Sequence, residues 1–131
     1  TELADDVKAR AALAKRAQEL VMAFSGAMTK NLLAGASFLN GFDMATRPVS
    51  MIIIGPDDDA QTDALFKAAL KSSAPDRVIL RVADDAGLPP FHPAKGKGMV
   101  DDKAALYLCI GNQCLAPITD PAKLQELLKN I

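Results

Sequence analysis

The chain opens on a run in which apolar residues return every three or four positions. From Glu2 to Phe24 it is rich in Ala, Lys, Arg, Glu and Gln, with Leu3, Val7, Ala14, Ala17, Val21 and Phe24 recurring at those steps, which predicts an amphipathic helix. Ser25-Gly26 punctuates this run. A second apolar segment, Ala27 to Leu39, carries Met28, Leu32, Leu33, Phe38 and Leu39 and stops at Asn40-Gly41, a helix end. Residues 1–41 therefore read as a helical hairpin. Its second helix is apolar round most of its circumference, so the pattern predicts that further structure covers it.

After Arg47-Pro48 the period changes. Val49 to Ile54 is continuous, apolar and β-branched, as a strand buried on both faces requires. Gly55-Pro56 ends it, and Asp57-Asp58-Asp59 supplies a cap and first-turn acids for a helix over Gln61 to Ser72, with Ala64, Leu65, Ala68 and Ala69 as its buried stripe. Pro75-Asp76 resets the chain before a second strand, Arg77 to Val82, and the three elements make a βαβ unit. Ala83 to Asp102 has three prolines, three glycines and no period, which predicts an extended loop. Lys103 to Ile110 and Gln113 to Ala116 are strands joined by the two-residue turn Gly111-Asn112. Thr119-Asp120-Pro121 starts a last helix whose stripe is Leu124, Leu127, Leu128 and Ile131. The fold class is α/β: an N-terminal helical hairpin, a small mixed sheet built from a βαβ unit and an antiparallel hairpin, and a C-terminal helix. Residues 48–131 form the small α/β domain, and with residues 1–41 one compact unit is expected.

Composition narrows the function classes. The chain has 131 residues, 50% hydrophobic and 24% charged, so a single soluble domain with a sizeable core is expected. A net charge of −1 provides no field to recruit nucleic acid or an anionic membrane, and neither is expected as a partner. The longest apolar run of consequence, Met51 to Ile54, is far short of a membrane span. The start, Thr-Glu-Leu-Ala-Asp-Asp, has neither a basic stretch nor an apolar one, and two cysteines make no disulfide framework, so the cytoplasm is the favoured compartment.

Three groups of residues carry candidate chemistry. With Gly111-Asn112 as the turn, Ile110 pairs with Gln113, and Cys109 and Cys114 face each other. Two small, partly buried thiols that support packing are the ordinary reading, a strained and reducible bridge the sharper one. The pair plus His92 gives at most three zinc ligands, so no metal is expected there. Asp57, Asp58 and Asp59 lie at the carboxyl end of the central strand, where open α/β sheets bind ligands. Helix capping accounts for them. The sharper alternative joins Asp58 and Asp59 to Asp84 and Asp85, after the second strand, as a Mg²⁺ site. In the loop, His92 could serve as a base or shuttle, and Lys95 and Lys97 are separated by Gly96, a candidate ligand contact set against a solvated loop. No cofactor is implied.

The segment Ala104-Ala105-Leu106-Tyr107-Leu108-Cys109, Gln113-Cys114, Ala116-Pro117 and Thr119-Asp120-Pro121, followed by a leucine-rich helix, resembles the C-terminal region of the spermatogenesis-associated protein 20-like family. That family joins an N-terminal thioredoxin-like domain to a six-hairpin (α/α) toroid similar to glycosidases and N-acylglucosamine 2-epimerases. Arg16 to Leu20 and Leu32-Leu33 look like its closing toroid helices, Ile52 to Gly55 like the following strand and turn, and Gly96-Lys97 like the Gly-Lys before its last strand pair. Gly111-Asn112 departs from the pattern, where an aromatic residue is common.

The resemblance implies that this chain is the C-terminal end of a larger protein and lacks the thioredoxin-like domain and most of the toroid. Its expected role is that of a non-catalytic structural and interaction domain whose partner is the remainder of the parent. The alternative is a contribution to a redox or carbohydrate-processing site through Cys109 and Cys114 or the loop 83–102. Parted from a toroid, residues 1–40 are expected to expose apolar surface and to self-associate or fray.

Overall fold

The apolar run Val49–Ile54 forms strand β1, flanked on both sides within a four-stranded sheet ordered β2-β1-β3-β4 (β2 Arg77–Val82, β3 Ala105–Ile110, β4 Gln113–Cys114). The computed structural model describes residues 2–28, 35–74, 76–111 and 113–129. β2 runs parallel to β1, pairing Val49 with Arg77 and Ile54 with Val82, and β3 runs antiparallel, pairing Val49 with Ile110 and Ile54 with Ala105. Of β1, only Ser50 is not fully buried, which is why the run could dispense with polar alternation.

On one face of the sheet Val49, Met51, Ile53, Leu106 and Leu108 pack with Leu65, Ala68 and Ala69 of α3 (Ala60–Leu70) and with Leu124 and Leu128 of α4 (Pro121–Leu128). Asp59 caps α3, its carboxylate accepting the Thr62 N–H at 2.8 Å, and Asp120 caps α4, accepting the Ala122 N–H at 2.8 Å. The other face, Ile52, Ile54 and Cys109, is covered by the β2–β3 loop, which brings Ala94 into full burial and lays Leu88 beside it.

That loop is not the extended segment its composition predicts. It folds as successive turns closed by Leu88 N–H to Asp85 O (3.3 Å), His92 N–H to Pro89 O (2.9 Å), Lys95 N–H to His92 O (2.9 Å) and Lys97 N–H to Ala94 O (3.1 Å). It ends in a miniature hairpin, where Val100 and Lys103 exchange backbone hydrogen bonds across Asp101 (φ 49°) and Asp102 (φ 56°). Lys103 is thereby taken from β3, which begins at Ala105. β4 is also shorter than the four residues expected. Leu115 still donates to Leu108 O (2.9 Å), but Leu106 then pairs with Ile118 in both directions rather than with Pro117. Proline has no N–H to give the ladder, and the chain skips it with a one-residue bulge.

Residues 1–46 and 47–131 form two compact units. The first contains α1 (Glu2–Met28) and α2 (Ala36–Thr46), so the hairpin reaches past residue 41. Both expected breaks are passed through. At Ser25-Gly26 the serine hydroxyl donates to the Met22 carbonyl (2.8 Å), and a single helical glycine costs only about 1 kcal/mol. α2 continues across Asn40-Gly41 to Thr46, whose hydroxyl donates to the Phe42 carbonyl (2.9 Å). The helix expected over 27–39 is therefore divided: 27–28 belong to α1 and 36–39 to α2, while Leu32 and Leu33 lie outside the described residues. The rings of Phe24 and Phe38 meet at 6.4 Å, yet no residue of α2 is buried. Among the described residues of this unit, none supplies the cover that the apolar segment predicts.

Candidate functional site

The β3–β4 turn sets the geometry. Gly111 adopts φ 58°, a left-handed value that glycine accepts without steric cost, and its N–H donates to the Pro48 carbonyl (2.9 Å). Ile110 pairs with Gln113 and Cys109 with Cys114. Because Leu115 hydrogen-bonds Leu108, the cysteines occupy the position between ladder bonds, where facing side chains come closest. The sulfurs are bonded, S–S 2.03 Å, with Cα atoms 3.9 Å apart. The pair is a disulfide, not the two separate thiols that the usual behaviour of cysteine favours.

The two halves of the bond differ in surroundings. Cys109 is 5% exposed and packs with Ile52 and Ala94, whereas Cys114 is exposed on the two-residue edge strand. Beside them lies a cavity of about 160 Å³, walled by Ser50, Ile52, Pro93, Lys97 and Gly111 as well as both cysteines. The Lys97 ammonium stands 5.6 Å from the centre of the Tyr107 ring, and the Tyr107 hydroxyl donates to the Gly98 carbonyl (2.9 Å), which ties this part of the loop to β3.

Of the loop candidates, Lys97 alone lines this cavity. Lys95 is held elsewhere, donating to the Asp85 carbonyl (3.0 Å) and lying 3.6 Å from its carboxylate. His92 uses Nδ1 to accept the Ala94 N–H (3.1 Å), an acceptor role within its own turn.

Three of the four acids proposed as a cation site are engaged locally. Asp59 caps α3 and also accepts the Thr62 hydroxyl (3.0 Å). The Thr62 N–H, then its hydroxyl, hold the Asp59 carboxyl below its ordinary value, with the Gln61 N–H and the Arg81 charge adding to this. Asp85 accepts the Gly96 N–H (3.0 Å), and that bond, followed by the charge of Lys95, lowers its carboxyl in the same direction. Asp84 accepts the Ala86 N–H (2.7 Å), and Asp58 faces solvent. Among the described residues no group of three or more His, Cys, Asp or Glu side chains is placed to hold a metal ion. Asp59, Asp84 and Asp85 each accept a nearby backbone N–H, and the four acids are not brought into such a group.

Arg81 is the residue that the strand pattern concealed. From the end of β2 its guanidinium reaches Asp63 of α3 at 2.5 Å, donates to the Asp57 carbonyl and lies 3.5 Å, through Nε, from the Asp57 carboxylate. It fastens the β1–α3 turn to the neighbouring strand. A cation placed after alternating apolar residues, with three acids upstream, was the available signal.

Among the described residues no helix is long and apolar enough to cross a membrane. No family model, curated protein or solved structure matches this chain.

Proposed function

We propose that this chain is a non-catalytic structural and interaction domain: the C-terminal end of a larger protein of the thioredoxin-like and (α/α)-toroid type, docking onto the remainder through its helical hairpin. The observation that carries the reading is the apolar face left open along α1 and α2. A groove of about 280 Å³ runs between them, walled by Ala17, Leu20, Phe24, Phe38, Phe42 and Ala45 among others. Leu20, Phe24 and Phe42 remain 51%, 55% and 40% exposed. Isolated surface leucines are ordinary, but several large apolar side chains around one groove mark an interaction site. Asp59, Asp84 and Asp85 of the α/β unit, by contrast, are spent on caps and turns, which agrees with a scaffold more than with an active site.

The test is calorimetric binding of this chain to the separately expressed remainder of the longer protein. Association with a large negative heat-capacity change is expected, and Phe24→Glu with Phe42→Glu is expected to abolish it. Without the remainder, the same face is expected to drive self-association, which sedimentation would detect and the same substitutions would remove. A monomer that binds nothing, with or without these substitutions, would overturn the reading.

A further inference from the structure

We propose that the Cys109–Cys114 bond is a thiol–disulfide exchange site that accepts a dithiol reductant at the Cys114 sulfur. This goes beyond the docking role, since it lies in the α/β unit and uses none of the hairpin's apolar face.

Place is the first argument. The bond ties β4, two residues long, to β3, and apart from it the strand is held by the Ile110–Gln113 pair and the Leu115–Leu108 hydrogen bond. The central pairings of β1 with β2 and β3 do not involve Cys114. Opening the bond therefore frees an edge and leaves the sheet standing, whereas a disulfide buried across a core opens only with global unfolding.

Asymmetry is the second. An attacking thiolate must approach one sulfur from the side opposite its partner. Cys109 is enclosed by Ile52, Ile54 and Ala94, while Cys114 faces outward on the edge, so access selects Cys114. The third is charge. Lys97 stands on the wall of the cavity beside both cysteines, and a cation there favours the incoming thiolate and the thiolate that departs.

The chemistry balances as a two-electron exchange. One thiol of the reductant, deprotonated, attacks the Cys114 sulfur. A reductant–Cys114 bond forms as the Cys109–Cys114 bond breaks, and Cys109 leaves as a thiolate that takes a proton from solvent. The second thiol of the reductant, deprotonated in turn, attacks its own sulfur in the mixed disulfide, closes an intramolecular disulfide in the reductant and releases Cys114 as a thiolate, which is protonated. The reductant is oxidised to a disulfide and the protein reduced to two thiols.

The experiment uses the whole chain under native conditions. It is incubated with dithiothreitol, or separately with glutathione, a monothiol whose mixed disulfide is trapped by the quench before Cys109 or a second glutathione resolves it, then acid-quenched, alkylated and mapped by mass spectrometry, with circular dichroism recorded alongside. The expected result is alkylation of both cysteines while the circular dichroism spectrum of the fold persists, and a glutathione adduct on Cys114. Lys97→Gln is expected to slow exchange about two- to fivefold through loss of the nearby positive charge. Reaction of the cysteines only after the fold is lost, an adduct on Cys109, or an unchanged rate in Lys97→Gln would each overturn the assignment.

Discussion

Gly55 and Thr62 are in contact where β1 passes into α3: a β-carbon on Gly55 would stand 2.4 Å from the Thr62 hydroxyl oxygen and 2.7 Å from the Ala104 β-carbon. Thr62 is fully buried and hydrogen-bonded to the Asp59 cap, and Ala104 is buried just before β3, so neither neighbour can withdraw. Gly55→Ala is expected to destabilise the α/β unit by about 1–3 kcal/mol, the range for overpacking a filled core. Gly26→Ala, in α1 where an added β-carbon meets nothing within 4 Å, is expected to stabilise its helix by about 0.5–1 kcal/mol. Urea unfolding followed by circular dichroism measures both, and equal stability of the Gly55 variant and the parent would refute the clash.

What was legible in the sequence follows from how local each signal is. Val49–Ile54 and Arg77–Val82 are strands at the limits their side chains suggest, because continuous β-branched runs bounded by Gly-Pro and Pro-Asp act within a few residues. The facing of Cys109 and Cys114 was equally readable, since a two-residue turn fixes register. The cover of the sheet's second face was not, because the burial of Ala94 depends on the path of a whole loop and on no pattern around position 94. Nor was the approach of Lys97 to the cysteines, which arises from that same path. The helix breaks at Ser25-Gly26 and Asn40-Gly41 misled because propensity penalties of about 1 kcal/mol are outweighed when the helix continues on both sides.

Asp101 and Asp102 both hold left-handed backbone, φ 49° and 56°, in the turn between Val100 and Lys103. A two-residue turn with both central residues at positive φ favours Asn-Gly, and aspartate pays a steric penalty that glycine does not. Asp102→Gly is therefore expected to raise stability by about 0.5–1 kcal/mol, detected as a higher Tm. A lower Tm would mean that the entropy glycine adds to the unfolded chain exceeds the relief.

Arg81 and Asp63 meet at 2.5 Å, with side chains 22% and 49% exposed. The pair bridges β2 and α3, and its partial exposure sets its strength between that of a surface ion pair and a buried one. A double-mutant cycle with Arg81→Met and Asp63→Asn is expected to give a coupling energy of about 1 kcal/mol. Arg81→Met alone is expected to cost more than Asp63→Asn, because it also strips the Asp57 carbonyl of its donor. Coupling near zero would assign the anchoring of the turn to that carbonyl bond alone.

Asp59 and Asp85 are expected to make the fold sensitive to acid. Both carboxyls titrate below the ordinary 3.8 when folded, because backbone N–H groups of Thr62 and Gly96 favour their charged forms. In the unfolded chain those bonds are absent, so the unfolded state takes up protons first as the pH falls. The stabilisation is thus complete above the unfolded value, and it disappears as pH falls from there through the lower folded values. Thermal unfolding of the parent is expected to hold a steady Tm above about pH 5 and to lose it below about pH 4. Asn at these positions keeps an acceptor for the same N–H groups but has no proton to gain. Asp59→Asn combined with Asp85→Asn should therefore flatten the acid limb while leaving a folded chain at neutral pH. The direction is opposite for a group whose folded value is raised, so a steeper acid limb in the double variant would contradict the hydrogen bonds themselves, and an unchanged limb would place the acid sensitivity in other carboxylates.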